Sequence, residues 1–304
     1  SSVNLEHFDD WSKDDQFVPD LITMLDNVLQ NFVDSVQGKG GYDKAAYSAM
    51  RERSIGLGAM GFHSYLQRNN IAFESMYASS FNNKAFSYIK DRASATTRKL
   101  AEERGEAPDM KGSGKRNAHL LAIAPNASSS IICGGTSPSI EPIRANVYTH
   151  KTLTGSFKVK NKYLDDLLLE LVPTKKKRDE IWKDIAAHEG SVQHLDILSD
   201  SQKEIFKTAP EINQIWIIEH ADMRQNYVCQ SQSVNLFFKP PHYEADQETH
   251  DEFLQYVNDV HWAGATKLKS LYYLRSDSAR STENVNIKIP RIKLDEEGCL
   301  SCEG

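Results

Sequence analysis

The sequence predicts an α/β fold on two observations. Short apolar runs of strand character alternate with stretches of helical period, and the composition is that of a chain with a packed interior. Of the 304 residues, 39% are hydrophobic and 26% charged, which argues against disorder. A chain of this length buries a sizeable core, as one large domain or two modest ones.

The elements follow in order. Residues 18–36 carry Val18, Leu21, Ile22, Leu25, Val28, Leu29, Phe32, Val33 and Val36 at i, i+3, i+4, i+7 spacing, an amphipathic helix closed by Gly38-Lys-Gly-Gly41. Residues 54–67 predict a helix after their first few positions, with small residues that let a neighbouring backbone approach. A longer helix is expected over 75–104, capped by Gly105, then a polar loop over 106–118. His119-Leu-Leu-Ala-Ile-Ala124 suits a buried strand and stops at Pro125-Asn126. Residues 161–188 are charged and helical, broken at Pro173, and 210–225 form a helix starting at Pro210. Ser231–Phe237 reads as a strand, 247–267 as a helix and Ser270–Leu274 as the last strand. No periodicity remains after Thr282, so residues 1–280 are expected to fold and 281–304 to form a flexible tail.

Charge and cysteine usage exclude several classes. A formal net charge of −6 disfavours direct nucleic-acid binding. No apolar stretch reaches a membrane span and no leader opens the chain. Four cysteines are too few for a disulfide scaffold, which points to a reducing cytoplasm with any cysteine pair redox-active, catalytic or metal-binding. The ten histidines show no metal-ligand spacing, and no metal site is expected. His63 and His261 read as packing or hydrogen-bonded residues. Cys133 and Cys229 read as buried small hydrophobes. Lys175-Lys-Lys-Arg178 reads as a solvated surface run.

Three groups carry possible chemistry. Pro125, Asn126, Ala127, Ser128 and Ser129 follow a strand and open a helix, where outward amides and serine hydroxyls would cradle a phosphate; a capped helix start with solvated serines is the commoner reading of such residues. Tyr272 and Tyr273 are either strand aromatics or two adjacent redox-capable phenols, and alternation sends them to opposite faces unless the backbone bends. Cys299 and Cys302 have C-x-x-C spacing at the very end of the chain: an exposed dithiol for exchange, or two inert thiols.

Together these motifs resemble one family. Ser1-Ser-Val-Asn-Leu5, Arg53-Ser-Ile-Gly-Leu-Gly-Ala-Met-Gly-Phe-His63, Ala124-Pro-Asn-Ala-Ser-Ser-Ser130, Ser139-Ile-Glu-Pro142, Gln230-Ser-Gln-Ser-Val-Asn235, Leu271-Tyr-Tyr273 and the terminal cysteine pair stand in the order found in the carboxy-terminal half of the large, catalytic subunit of class I ribonucleotide reductase. The resemblance implies part of a ten-stranded α/β barrel built from two five-stranded parallel halves. It implies reduction of ribonucleoside diphosphates to deoxyribonucleoside diphosphates by a thiyl radical. Pro125–Ser129 would bind the substrate diphosphate, and Tyr272 and Tyr273 would relay the radical from a small subunit that holds a tyrosyl radical and di-metal centre. Cys299 and Cys302 would re-reduce the active site and be renewed by thioredoxin or glutaredoxin.

The family's thiyl-forming cysteine, its asparagine and glutamate, and both active-site redox cysteines fall upstream of Ser1, so no cofactor is expected in this chain and half of the active site is missing from it. The chain is therefore expected to need an amino-terminal portion, as a separate subunit of a split enzyme or joined after intein removal. A small subunit, a homodimer of the reassembled large subunit and a protein dithiol would complete the partners. The alternative is a non-catalytic remnant that docks the small subunit; retained Ser128, Ser129, Tyr272, Tyr273 and the cysteine pair favour the enzyme.

Overall fold

The computed structural model describes residues 1–152 and 155–276. The tail beyond them, including Cys299 and Cys302, lies outside the described residues, as does the expected domain boundary near 280.

In chain order the elements are β1 (Ser2–Asn4), α1 (Phe8–Trp11), α2 (Phe17–Val36), α3 (Asp43–Glu52), β2 (Gly58–Met60), α4 (Phe62–Arg68), α5 (Met76–Arg104), α6 (Ala127–Ile132), β3 (Val147–Thr152), β4 (Gly155–Lys160), α7 (Lys162–Leu171), α8 (Lys175–Ala187), α9 (Asp200–Ile205), α10 (Gln214–Gln225), β5 (Leu236–Phe238), α11 (Gln247–Lys267) and β6 (Leu274–Ser276). Five extended segments line up in parallel. β1 pairs with β2, Leu57 bridges Leu121, Ile123 bridges Gln232, and β5 pairs with β6. The spatial order is the sequence order, with a helical crossover between each pair, as parallel neighbours require. This is one five-stranded parallel set of the kind the resemblance implies. β3 and β4 form an antiparallel hairpin outside it, which the sequence reading did not anticipate.

The strands are short because ladder pairing is shared between brief regular stretches and single bridges. Residues 119–124 make only bridges, Ser231–Phe237 narrows to β5, and the last strand begins at Leu274 rather than Ser270. The 54–67 segment is not helical through its glycines. Gly58 is extended, and a Cβ there would sit 2.5 Å from the Ala122 carbonyl oxygen, so the third segment packs against β2 only because position 58 has no side chain. Gly61 has φ +80°, and helix α4 starts only after it. The predicted helix at Pro210 is also displaced. Pro210 lies in a 3-10 turn, and Asn213 caps α10, its Oδ1 accepting the Ile215 amide at 3.0 Å.

The main core lies beneath the parallel set. Leu57, Ile123, Val234 and Leu236 from the strands meet Phe62, Phe81, Phe86 and Ile89 from α4 and α5. A smaller core joins α7, α8 and α9 through Leu168, Trp182, Ile185 and Phe206. One buried polar cluster fixes the helices around the first strands. Asp26 on α2 is fully buried and accepts from Arg53 at 2.8 and 3.0 Å, Arg104 at 3.0 Å, Arg116 at 2.9 Å and Asn117 at 3.1 Å. Burial pulls its carboxyl up, but the guanidiniums of Arg116 and Arg53 outweigh that pull and hold it below the ordinary aspartate value. Among the described residues, no helix is long and apolar enough to cross a membrane.

Candidate active site

The third parallel segment ends at Ala124 and turns into α6 through Pro125 and Asn126. Asn126 is left-handed, with φ +55°. Its side chain does not cap the helix. Instead Nδ2 points back and donates to Ser2 Oγ at 2.8 Å, Ala124 O at 3.1 Å and Ala59 O at 3.3 Å. The turn is thereby tied to β1 and β2. The first bond inside α6 runs from the Ser130 amide to the Asn126 carbonyl at 2.9 Å, so the amides of Ala127, Ser128 and Ser129 precede it. Ser128 and Ser129 are exposed, whereas Ser130 is buried and donates its hydroxyl to the Ala127 carbonyl at 2.8 Å. The loop can therefore offer three outward amides and two hydroxyls to an anion.

The chain leaving this loop is pinned. Ser64 and Ser137 exchange bonds, each hydroxyl accepting the other's amide at 3.0 and 2.8 Å. The Ile143 amide donates to His63 Nδ1 at 2.9 Å. Burial pushes His63 down to about 3, which keeps the ring neutral and able to accept. Between these anchors lies Glu141, only 6% exposed. Burial pushes its carboxyl up to about 7, against the opposing pull of the Asn235 hydrogen bond and the charges of Arg144 and Arg275.

Asn235 links this carboxyl to the tyrosines. Its Nδ2 donates to Glu141 Oε1, and its Oδ1 accepts the Tyr273 amide at 3.0 Å. The backbone explains why a side chain is needed here. In a regular parallel ladder one residue both donates to and accepts from the neighbouring strand. Here Leu236 N donates to Tyr273 O at 2.9 Å, but Val234 O receives the amide of Tyr272, also at 2.9 Å. One residue is inserted, the ladder bulges, and the spare amide of Tyr273 goes to Asn235.

The bulge breaks the alternation that would have separated the phenols. The two rings lie together, centroids 3.9 Å apart and planes tilted by 41°, and Tyr272 Oη donates to Tyr273 Oη at 3.2 Å. That hydrogen bond raises Tyr272 above the ordinary phenol value. Both tyrosines are about half exposed, and the Arg275 guanidinium carbon stands 5.2 Å from the Tyr273 ring centre. Glu141 and Asn235 stand inside motifs that marked the family resemblance, yet the sequence reading gave them no role. Arg275, two residues beyond the tyrosines, was also passed over.

Other expectations are corrected. Cys133 and Cys229 are exposed rather than buried. Cys133 follows the outward end of α6, and Cys229 sits at a strand edge where its Sγ accepts the amides of Leu120 and Leu121 at 3.2 and 3.3 Å. His261 does act as a hydrogen-bonded residue, its Nδ1 lying 2.8 Å from Val257 O. Asp184, His188 and His194 gather at the surface. Their ligand atoms lie within 4.8 Å of one another, and the two imidazoles stack with centroids 3.7 Å apart and planes tilted by 24°.

Comparison with known proteins gives one consistent result. The family model described as "Ribonucleotide reductase, barrel domain" matches residues 1–114 and 107–274. The ribonucleoside-diphosphate reductase large subunit of Invertebrate iridescent virus 3 is 44% identical over 306 aligned positions, covering 100% of this chain and 47% of that protein. The putative large subunit of Frog virus 3 (isolate Goorha) is 43% identical, covering 100% of this chain and 51% of its own length. Among solved structures, the Actinobacillus ureae class Id ribonucleotide reductase alpha subunit superimposes with a TM-score of 0.78 at 39% identity, over 91% of this chain and 49% of that one. The chain thus spans about half the length of these relatives. By the five-segment parallel register and these matches, the chain belongs to the ribonucleotide reductase large-subunit family and forms part of its barrel domain.

Proposed function

We propose that this chain is the carboxy-terminal portion of the catalytic subunit of a ribonucleoside-diphosphate reductase, active together with an amino-terminal portion and a small subunit. The observation that carries this reading is the hydroxyl-to-hydroxyl contact of Tyr272 and Tyr273 on a backbone bulge, in a chain of this family. Packing alone does not require two half-exposed phenols to share a hydrogen bond.

In this reading the loop from Pro125 to Ser129 holds the diphosphate of the substrate through helix-start amides and the hydroxyls of Ser128 and Ser129. Tyr272 and Tyr273 pass the oxidising equivalent inward by successive loss and gain of an electron and a proton at each phenol. The small subunit supplies that equivalent from its tyrosyl radical and di-metal centre. The amino-terminal portion supplies the thiyl cysteine that abstracts the ribose 3′-hydrogen, and the dithiol that gives two electrons as the 2′-hydroxyl leaves as water. Cys299 and Cys302 then reduce the resulting disulfide by thiol exchange and are renewed by thioredoxin or glutaredoxin. The reassembled large subunit works as a homodimer in the cytoplasm.

The test is complementation. The chain, a matching amino-terminal portion and a small subunit are mixed and assayed for deoxyribonucleoside diphosphate. Product is expected only when all three are present. Reduction by the chain and small subunit alone, or none by the complete mixture when an intact relative is active under the same conditions, contradicts the proposal.

A further inference from the structure

We propose that Glu141 and Asn235 are positioning residues for the tyrosine pair: they hold the backbone bulge at Tyr273 and so keep the two phenols in contact. This inference rests on the relay reading for its functional meaning, but its structural content stands apart from it.

The amide of Tyr273 lacks its regular acceptor. A regular register would give it the carbonyl of Val234, and that acceptor is taken by Tyr272. Left alone, the amide would lose its partner, a cost large enough to favour slipping back to the regular ladder. Asn235 Oδ1 removes that cost by accepting it at 3.0 Å. An asparagine amide must itself be aimed, because its oxygen and nitrogen could exchange places by a half-turn. Glu141 fixes the choice: its Oε1 accepts from Nδ2, which leaves Oδ1 to face Tyr273.

Glu141 is itself held in place. It is 6% exposed, its amide donates to the Pro138 carbonyl at 3.1 Å, and the flanking Ser137 and Ile143 are locked to α4 by Ser64 and His63. Arg275 completes the arrangement from the other side, its guanidinium near the Tyr273 ring and its charge acting on Glu141. The same continuous segment begins at the Pro125–Ser129 loop. A single stretch of chain therefore carries both the anion-facing turn and the buttress of the phenols.

The experiment uses the complemented enzyme with 3-fluorotyrosine at position 272, whose fluorine resonance reports the contact with Tyr273. Tyr273→Phe calibrates the signal for a lost hydroxyl partner. Asn235→Leu, of similar shape, and Glu141→Ala are expected to move the resonance toward that calibrated value. Glu141→Gln, which keeps an acceptor oxygen, is expected to restore it toward wild type. In turnover, Asn235→Leu and Glu141→Ala should lower kcat by about tenfold or more while KM stays within about twofold. If Glu141→Ala fails to fold, Asn235→Leu with Glu141→Gln carries the same comparison. A wild-type resonance in Asn235→Leu overturns the proposal, as does wild-type kcat in that variant when Tyr273→Phe is inactive. If the resonance moves but Tyr273→Phe remains fully active, the positioning role stands and the relay reading fails.

Discussion

Tyr272 donates its hydroxyl to the hydroxyl of Tyr273 across 3.2 Å, although the two residues are adjacent in a segment whose backbone bonds to Val234 and Leu236 just before β6. Neighbours on a regular strand face opposite ways. The contact exists because one residue is inserted in the ladder and Asn235 takes the spare amide. A local irregularity is thus what brings two redox-capable groups into proton-transfer distance.

The buried Glu141 should make stability depend on pH in an unusual direction. Its folded value is raised to about 7 from an ordinary 4.5, so the native state binds the proton more tightly than the unfolded chain. Its contribution is fully present below about 4.5 and is lost as pH rises through about 7. Asp26 acts oppositely: its value is lowered, so its contribution is present above the ordinary 3.8 and is lost as pH falls through the folded value. Chemical denaturation as a function of pH should show Glu141→Gln flattening the fall between 4.5 and 7, with Asp26 left as the acid-side limit. An unchanged slope in that variant would count against the burial of the charge.

Asp26→Asn should be among the most destabilising single changes in the described core. It leaves Arg53 and Arg116, with side chains only 6% and 10% exposed, without their carboxylate. The expected cost is about 3–5 kcal/mol, read from denaturant midpoints at neutral pH. A loss of under about 1 kcal/mol would mean that the cluster relaxes into water as surface pairs do.

Replacing Ser128 and Ser129 by alanine should weaken nucleoside-diphosphate binding by about 1–3 kcal/mol, the range for charge-assisted hydrogen bonds lost at an anion. Neither hydroxyl is needed by the fold as described, so thermal unfolding should stay close to wild type. Isothermal titration on the complemented enzyme separates the two. Unchanged affinity would leave the amides of Ala127–Ser129 as the whole anion site or remove the site altogether, and a phosphate-free nucleoside competitor distinguishes these.

Substitution of Cys299 and Cys302 by serine should leave the first turnover of a pre-reduced enzyme intact and stop multiple turnovers driven by thioredoxin or glutaredoxin, since serine cannot exchange with a disulfide. A small dithiol should partly rescue the rate. Full steady-state activity with the protein reductant would remove the shuttle role.

The long helices were legible because a 3.6-residue period is a local property: α2, α5 and α11 fall within a residue of their expected bounds. The strands were less so. Each regular stretch is three residues long in the parallel set, too short for any period, and Gly58 sits among helix-like neighbours while being extended. The loop at Asn126 was visible as a turn before serines, but the direction of its side chain depends on Ser2, 124 residues away. Alternation correctly raised the question of how Tyr272 and Tyr273 could meet. The answer lay in Asn235 and Glu141, 94 residues apart, which no local pattern connects.

The most direct measurement is a single turnover by the complemented, pre-reduced enzyme carrying Tyr272→Phe or Tyr273→Phe, scored as deoxyribonucleoside diphosphate formed per active site. Phenylalanine keeps each ring and its packing but has no phenol to oxidise and deprotonate. Product is expected at background in both variants, with substrate binding retained and no rescue by any dithiol. Wild-type product from either variant would contradict the relay that the tyrosine contact is proposed to serve.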